Sequence, residues 1–498
     1  MKYLIGIDVG TTGTKTLLFD QEKNIIKRSY YSYKLNSPKP GYAEQNPEEW
    51  YKAVINTVLE CVEDISEKET VEAISISAQG GAMAAVDVTG KAVKPAVSWL
   101  DRRAKLEAEK LCKNKEENYY YKKTGWRLND GYNLAQILWM KTHEQDKYNQ
   151  TALFMSTLDY LNFRLTGRAV ADYTSMGITN LENIHTWTWD KSIFRDLQIN
   201  EEQLPHICQA GTAVGMLTEK AAKEMGLTEK TIVVNGGYDQ YCAALGVGAI
   251  HKGDLMLSTG TAWVLMGITD ELKFDEKSYI SPCRHIVPGV FGTMASLETG
   301  GVSLDWLRNR IISGEKYTEE YDIINREIEK RRPGADGILF YPHFAGTTCP
   351  TWSKNNKASF LGITLFHDKY HIARAVMEGV VFEMYGILKA YENAGINIGK
   401  IKLVGGASRS RIWTQMIADI TQMPVEVYGN ADAAAIGAGI IAAIGAGWHK
   451  SYEEACTAFS QDITHVLPNK ENAELYKNIY EKYKQGFMYL KEFYDKEA

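Results

Sequence analysis

The first candidate site in the sequence is a turn rich in glycine and threonine that follows an acidic residue. Asp8 ends an apolar stretch, and Gly10, Thr11 and Thr12 come directly after it. Glycines let backbone N–H groups approach a polyanion, and threonine hydroxyls add neutral donors. A carboxylate cannot usefully touch phosphate, but it can hold Mg²⁺ or the waters of that ion. The segment predicts a phosphate-binding turn with Asp8 as the magnesium ligand, or else a plain hairpin whose aspartate caps the turn.

A second turn of the same kind lies in the other half of the chain. Residues 254–265 have the pattern of a strand, the turn Thr259-Gly260-Thr261 and another strand. Two such turns in separate halves suggest loops that hold one phosphate chain from opposite sides of a cleft. The GxxxxGK(S/T) loop of the commonest nucleotide fold does not occur in the sequence. Residues 437–442 match the loose dinucleotide pattern, but they lie inside an alanine-rich helical run.

A third candidate is Asp239, which follows two glycines at the end of a predicted strand. The glycines leave the next residues exposed, so Asp239 and Gln240 should lie at the N-terminus of a helix. That position is expected to keep the carboxylate ionised. An ionised carboxylate there can accept the proton of an attacking hydroxyl. The alternative is an ordinary aspartate that caps the helix.

The fourth candidate is the segment from Gly405 and Gly406 to Ser410, where a predicted strand meets a helix. Paired glycines give a flat backbone surface on which a purine can lie. Close packing of strand on helix would explain the same glycines.

These segments need strands and helices to position them, and the pattern repeats in the two halves. Residues 3–8, 15–20 and 25–33 are predicted strands, and residues 48–61 form an amphipathic helix. Residues 231–237 and 401–407 are two further strands that we pair as counterparts, and residues 434–439 echo the small-residue helix that ends near residue 248. The sequence predicts two domains on one plan, residues 1–248 and 249–498.

Composition narrows the classes of partner. The 498 residues carry a formal net charge of -6, with 45% hydrophobic and 24% charged residues. A basic region for nucleic acid or an acidic membrane is not evident. The 7 cysteines are scattered without a CxxC pair, and Asp8 interrupts the N-terminal apolar stretch before a signal-peptide core forms. We expect a cytoplasmic protein, with a homodimer among the options for its assembly.

In chain order, these segments resemble the FGGY family of carbohydrate kinases over essentially the whole sequence. The resemblance implies an α/β fold with two domains of the actin, Hsp70 and hexokinase type, which is ribonuclease H-like, with an interdomain cleft. It implies ATP and Mg²⁺ as cofactors, a small sugar as the acceptor, Asp8 at the metal and Asp239 as the general base. The implied nucleotide-binding residues are Gly10, Thr11, Thr12, Gly260, Thr261, Gly301, Asp305, Gly405, Gly406 and Ser410.

Within the family, residues 41–50 and 95–103 are most similar to xylulokinases. The residues implied to bind the sugar are Gln79, Gly80, Gly81, Trp99, Asp101, Asp239 and Gln240. Xylulokinases usually carry a Met-His pair where this chain has Gly80 and Gly81, and glycerol kinases carry Arg-Glu there. The loss of two large side chains predicts a wider pocket with fewer hydrogen-bond donors. The expected acceptor is a ketopentose such as xylulose, or another sugar, polyol or sugar acid.

Two functions of other classes stay open at this point. An ATPase switch of the Hsp70 type would use the same nucleotide residues to move a partner domain, and a regulator would bind sugar without chemistry. Release of ADP separates the three: a kinase needs the sugar, a switch does not, and a regulator releases none.

Overall fold

The computed structural model describes residues 1–116, 118–312, 321–429, 432–459 and 461–497. The chain forms two compact units. The first comprises Met1–Ile250, Ser281–Phe291 and Asp432–Ser460, and the second comprises His251–Ile280, Gly292–Ala431 and Gln461–Ala498. Two segments that come late in the chain therefore belong to the first unit. The predicted domain limits at residues 248 and 249 stay a prediction.

The strands and helices follow one another in a mixed order. The first half contains β1 Tyr3–Val9, β2 Gly13–Phe19, β3 Ile25–Ser32, β4 Glu44–Gln45, α1 Pro47–Val62, β5 Val71–Ala78, β6 Ala84–Val86, β7 Ala96–Val97, α2 Lys105–Lys113, α3 Tyr119–Thr124, α4 Asn133–His143, α5 Gln145–Gln150, β8 Leu153–Met155, α6 Thr157–Thr166, β9 Val170–Ala171, α7 Tyr173–Met176, β10 Glu182–Asn183, β11 Thr188–Trp189, α8 Lys191–Leu197, β12 His206–Ile207, β13 Ala213–Met216, α9 Glu219–Met225, β14 Ile232–Tyr238 and α10 Asp239–Gly246.

The second half contains β15 Asp254–Thr259, β16 Trp263–Thr269, β17 Ser281–Arg284, β18 Phe291–Leu297, α11 Gly301–Leu307, α12 Tyr321–Glu329, β19 Leu339–Tyr341, β20 Ser359–Leu361, α13 Lys369–Asn393, β21 Lys400–Gly405, α14 Arg411–Thr421, β22 Val425–Tyr428, α15 Ala433–Gly445, α16 Tyr452–Ala458, β23 Ile463–Val466 and α17 Ala473–Lys496. The four elements predicted near the N-terminus are confirmed to within two residues at each end.

The main sheet of the first unit has the strand order β13-β14-β5-β1-β2-β3. The hairpin β1–β2 is antiparallel, whereas β5 runs parallel to both β1 and β14. The apolar residues Leu4, Ile5 and Ile7 of β1 are fully buried. Parallel strands are covered on both faces, which explains why β1 and β5 are buried along nearly their whole length.

Helix α1 shows how local sequence starts an element that covers this sheet. The Asn46 side chain accepts a hydrogen bond from the backbone N–H of Glu48, and Pro47 occupies the first turn. Both are favoured at a helix N-terminus, because the first N–H groups lack partners within the helix. Trp50, Val54 and Val58 are fully buried in the core beneath the sheet.

Helix α15 is buried in the first unit although it is encoded near the end of the chain. A Cβ on Gly6 of β1 would lie 2.6 Å from the backbone nitrogen of Gly439, so β1 and α15 meet backbone to backbone. A Cβ on Gly437 would lie 2.7 Å from the carbonyl carbon of Cys242 in α10. The predicted close crossing of the two small-residue helices is confirmed.

The second unit repeats the plan of the first. Its strands lie in the order β18-β16-β15-β21-β22-β23. The hairpin β15–β16 is antiparallel, β21 is parallel to β15 and to β22, and β23 is antiparallel to β22. This is the order of β3-β2-β1-β5-β14-β13, and the pairs from β16 to β23 have the same directions as the pairs from β2 to β13, so the prediction of two halves on one plan is confirmed.

One detail of the predicted correspondence is wrong. We paired residues 231–237 with residues 401–407, but β21 occupies the place of β5, since each is the parallel neighbour of the first hairpin strand. Strand β14 instead corresponds to β22. Both β14 and β21 have a pair of glycines close to the helical turn that follows them, and that local similarity concealed their different positions in the sheets.

Among the residues that the structure describes, no helix combines the length and the apolar character needed to cross a membrane.

The contact between α10 and α15 yields a stability prediction. Gly437→Ala should lower the free energy of unfolding by about 1–3 kcal/mol, because the added methyl group must displace the backbone of α10. The control is Gly215→Ala in β13, where the new Cβ would meet Thr166 at an ordinary 3.5 Å. Urea denaturation followed by circular dichroism measures both, and an equal effect of the two substitutions would contradict the inferred backbone contact.

Candidate active site

Acidic and amide side chains of the first unit gather where three parallel strands end. In the sheet register, Asp8 of β1 lies opposite Ser77 of β5, and Tyr238 of β14 lies opposite Ala78. Asp239 follows Tyr238 as the first residue of α10. The carboxyl ends of parallel strands form one edge of a sheet, which is where α/β proteins bind their ligands. The structure therefore brings Asp8 and Asp239 together at this edge, as the sequence predicts.

The two carboxylates lie in surroundings that disfavour negative charge. Burial raises the pKa of Asp8, while a hydrogen bond of 2.9 Å from Ser77 Oγ and the charge of Lys15 lower it. Burial also raises the pKa of Asp239, to about 7, with a further contribution from the charge of Asp8. A carboxylate that titrates near neutral pH can both take up and release a proton, as a general base must.

The expectation that Asp239 is held ionised stays a prediction, because a pKa of about 7 leaves its carboxyl group only partly ionised at neutral pH. Burial raises the pKa of Asp239 more than the hydrogen bonds from Gln240 lower it. Partial charges at a helix end are worth about 0.3–1 kcal/mol at exposed sites, which is less than the cost of burying a carboxylate.

The turn after β1 is held from one side by its neighbours. The Tyr33 hydroxyl donates to the carbonyl of Gly10 at 2.6 Å, and Gln45 Nε2 donates to the carbonyl of Thr11 at 2.7 Å. The Thr12 carbonyl accepts the backbone N–H of Tyr33. Because the N–H and C=O of a planar peptide point in opposite directions, anchoring the carbonyls directs the intervening N–H groups the other way. This arrangement suits an anion.

Several buried acceptor atoms at this edge have no protein partner among the described residues. They are Gln79 Oε1, Asp239 Oδ1 and Gln240 Oε1. Gln79 Nε2 donates to Gln45 Oε1 at 2.9 Å, so the amide of Gln79 is oriented and its own oxygen is left available. Buried acceptors normally have donors, so this set fits a ligand that carries several hydroxyl groups.

The pocket is not widened at Gly80. A Cβ on Gly80 would lie 2.8 Å from Cε2 of Tyr238 and 3.3 Å from Cδ1 of Ile178. A Cβ on Gly81, whose φ is +73°, would lie 2.9 Å from Cβ of Trp99. The expectation that two glycines open the pocket is therefore wrong, because neighbouring side chains occupy the space beside them.

Trp99 and Asp101 have different surroundings. Trp99 Nε1 donates to Thr11 Oγ1 at 3.2 Å, which links the predicted sugar residue to the phosphate turn. Asp101 is fully buried, and its carboxylate accepts bonds from the backbone N–H groups of Ala43 and Arg103 and two more from the Arg103 guanidinium. With its oxygens so engaged, Asp101 holds Arg103 in place. The prediction that Asp101 contacts the sugar lacks support in this geometry.

In the second unit, the predicted nucleotide residues converge on one cavity of about 490 Å³. It is lined by Thr259, Gly260, Thr261, Gly301, Leu304, Asp305, Tyr321, Asp322, Asn325, Gly406, Ala407, Arg409, Ser410 and Trp413. Cavities of about 300–1,000 Å³ are typical of small-molecule sites. Gly260, Thr261, Gly301, Asp305, Gly406 and Ser410 therefore lie together, as expected from the sequence.

The floor of this cavity is fixed by backbone contacts. The N–H of Gly301 donates to the carbonyl of Gly260 at 3.0 Å, which joins α11 to the second threonine turn. Thr259 Oγ1 donates to the carbonyl of Val404 at 2.6 Å and accepts the N–H of Ala407. Gly405 lies opposite Thr259 in the sheet with a φ of +93°, and a Cβ there would lie 2.5 Å from the Thr259 carbonyl oxygen. Gly405 shapes the cavity without lining it.

The cavity also contains residues that were not predicted from the sequence. Ser410 Oγ donates to Asn325 Oδ1 at 2.9 Å, which connects α12 to the start of α14. The backbone N–H of Trp413 donates to Ser410 Oγ in the first turn of α14. Trp413 could have been found from the sequence, because it comes three residues after a serine that caps a helix and so lies in the first turn of that helix. Asn325 had none, because its contact spans 85 residues of sequence.

Asp8 fits the binding of a magnesium ion whose other ligands are phosphate oxygens and water. Within the described part of the chain, no three His, Cys, Asp or Glu side chains form a ready-made metal cluster. Mg²⁺ is commonly bound by one or two carboxylates together with phosphate oxygens and water. A carboxylate at the edge of the sheet whose charge is poorly solvated, such as Asp8, suits that role.

Comparison with known proteins identifies the class. Residues 3–246 match the FGGY family of carbohydrate kinases, N-terminal domain, and residues 255–446 match the C-terminal domain of the same family. The chain belongs to the FGGY family of carbohydrate kinases, and it is a sugar kinase. The predicted two-domain α/β fold of the actin and hexokinase class is confirmed.

Individual relatives cover almost the entire chain. It is 30% identical over 494 residues to the xylulose kinase of Bacillus subtilis. The aligned region covers 99% of this chain and 98% of the relative. It is 29% identical over 488 residues to the gluconokinase of Bacillus subtilis, with 96% and 94% covered. The crystal structure of the ligand-bound xylulose kinase from Lactobacillus acidophilus superposes with a TM-score of 0.93 at 26% identity, covering 100% of each chain.

The surroundings of Asp101 lead to a test of its role. Asp101→Ala should lower the free energy of unfolding by about 3–5 kcal/mol, because the buried Arg103 loses its main partner. Arg102→Ala, next to it, removes a pair between the exposed Arg102 side chain and Asp130 and should cost less than the loss of Asp101. Denaturant titration measures both. A stable Asp101→Ala variant with a raised KM for the sugar would show that Asp101 contacts the acceptor after all.

Proposed function

We propose that this kinase transfers the γ-phosphoryl group of MgATP to a hydroxyl of a ketopentose such as xylulose. In this proposal, the first unit supplies the acceptor site and the general base, and the second unit supplies the adenosine site. That the two threonine turns hold one phosphate chain between the units remains part of the proposal.

The observation that carries the proposal is the group of unpaired acceptor oxygens beside Asp239. Gln79, Asp239 and Gln240 each offer a buried oxygen with no donor among the described residues. A sugar supplies several O–H donors in a small volume, so it satisfies this set better than an apolar or anionic ligand does. The cavity of the second unit, with its glycine-lined floor, supports adenosine binding.

The proposed chemistry uses few groups of the chain. The acceptor hydroxyl oxygen forms a bond to the γ-phosphorus, the bond to the β,γ-bridging oxygen breaks, and ADP leaves with that electron pair. Asp239 takes the hydroxyl proton, and its pKa of about 7 suits that transfer. The N–H groups of the turns around Gly10 and Gly260 stabilise phosphate charge.

Asp8 would hold Mg²⁺ through its carboxylate, which Ser77 orients. When bound, the ion neutralises phosphate charge as it develops.

A five-carbon acceptor is favoured by the name of the relatives at 30% identity, which are xylulose kinases, and by the stretches around residues 41–50 and 95–103. A gluconokinase lies close by at 29% identity. A sugar acid of six carbons is therefore the second candidate to be tested beside xylulose.

The proposed base gives the first functional prediction. Asp239→Asn should lower kcat by about 10²- to 10⁴-fold, because the amide cannot accept the hydroxyl proton. ATP binding should be unchanged, since the adenosine residues belong to the second unit. Sugar-dependent release of ADP measures the rate, and calorimetric titration with ATP measures binding.

The exposed Glu229→Gln, another isosteric change of a carboxyl group in the first unit, serves as its control. Full turnover by Asp239→Asn would remove Asp239 from the scheme. Release of ADP at one rate with and without any sugar would refute the kinase proposal itself.

The proposed metal ligand gives the second functional prediction. Asp8→Asn should raise the Mg²⁺ concentration for half-maximal activity by at least about tenfold, since a neutral amide is a poorer Mg²⁺ ligand than a carboxylate. Asp87→Asn, in an exposed turn, should leave that concentration unchanged. If both variants reach half-maximal activity at the same Mg²⁺ concentration as the unsubstituted enzyme, Asp8 does not bind the ion.

A further inference from the structure

Position 80 requires a glycine mainly because the ring of Tyr238 occupies the space that a side chain would need. Its φ lies outside the positive range, so its backbone could accommodate any residue. The obstacle to a side chain is the ring of Tyr238, whose Cε2 and Cδ2 would lie 2.8 and 3.0 Å from the new Cβ, with Ile178 Cδ1 next at 3.3 Å. Gly81 differs, because its φ of +73° requires glycine on conformational grounds as well.

Tyr238 is held firmly in this place. Its backbone N–H donates to Thr174 Oγ1 at 2.8 Å, and that hydroxyl donates to the buried carboxylate of Asp172 at 2.8 Å. Asp172 caps α7, and the helical turn that follows it carries Ile178. The side chain is 9% exposed, and its ring lies 6.2 Å from that of Tyr241. One short segment, residues 172–178, therefore fixes both side chains that fill the space at Gly80.

The ring lies beside the groups proposed to bind the acceptor. Tyr238 pairs with Ala78 in the sheet, so the residues that come after these two, Asp239 and Gln79, leave the same edge together. The ring of Tyr238, whose residue precedes the proposed base, fills the space beside the backbone of Gly80.

We infer that Tyr238 is a specificity-determining residue that closes the acceptor pocket at Gly80 and so favours five-carbon over six-carbon acceptors. This inference rests on the proposed function. The ring occupies the volume that one further carbon and its substituents would need. A hydrophobic pocket discriminates by about 10- to 200-fold for a group of one carbon, which sets the expected scale.

The test compares D-xylulose with D-gluconate in the full-length protein. Tyr238→Ala should raise the ratio of kcat/KM for gluconate to that for xylulose by at least about tenfold. Gly80→Ala should lower the thermal midpoint, and Gly80→Ala/Tyr238→Ala should recover most of that loss, because the methyl group then enters the space that the ring has left. Tyr238→Phe keeps the ring and should keep the acceptor ratio.

Gly486→Ala is the matched control for crowding alone. Its new Cβ would overlap the hydroxyl of Tyr341 in the second unit, so it should lower the thermal midpoint and leave the acceptor ratio unchanged. The same two acceptors are titrated calorimetrically into each protein, so that binding is measured apart from turnover.

The outcomes separate the two proposals. If the unsubstituted protein binds xylulose but releases no ADP, the proposed function fails, and the ratio of the two binding constants still tests Tyr238. If xylulose is phosphorylated and Tyr238→Ala leaves the acceptor ratio unchanged, the inference fails and the proposed function stands. Binding of neither acceptor overturns both.

Discussion

The register of three parallel strands is the constraint on which the first unit depends. Hydrogen bonding between β1, β5 and β14 sets Asp8, Gln79 and Asp239 at one edge, where Asp8 is buried and where Gln79 and Asp239 each have an oxygen without a donor among the described residues. Such an arrangement costs folding free energy, because buried carboxylates are stable only when charge or donors compensate them. The apolar core beneath, which contains β1 and the inner face of α1, offsets that cost. Buried polar groups without protein partners are typical of sites where a ligand supplies those partners.

The two units use one strand order for different purposes. In both, a hairpin with a threonine turn lies beside a parallel strand. In the first unit that neighbour leads to Gln79 and the residues around Gly80, whereas in the second it leads through Gly405 to a glycine-lined cavity. In the proposed function, the same hairpin serves an acceptor on one unit and a nucleoside on the other, and the segment after the neighbouring strand decides which molecule fits.

Local features were predictable from the sequence, and contacts across the sheet were not. The threonine turns and the strands around them were visible because glycine, hydroxyl and β-branched residues act on their own neighbourhood. Asp101 was assigned to the sugar by the resemblance, but in the fold its carboxylate accepts hydrogen bonds from the distant backbone of Ala43 and from Arg103. The space at Gly80 was judged from two missing side chains, and the ring that fills it comes from a residue far along the chain, Tyr238. The ionisation of Asp239 was judged from its position at the start of a helix, whereas burial is the main cause that raises its pKa.

The place of α15 has a consequence for how the protein is made. Its buried face covers β1, and Asp432 in front of it pairs with Lys15 of β2 and Arg28 of β3. A ribosome releases the sheet of the first unit long before it releases this helix. Until then, the face of β1 that awaits α15 is an uncovered apolar surface on a nascent chain, which is the kind of surface that chaperones bind. The N-terminal half expressed alone would retain that exposed surface, so its solubility depends on residues encoded far beyond its end, in the segment Asp432–Ser460.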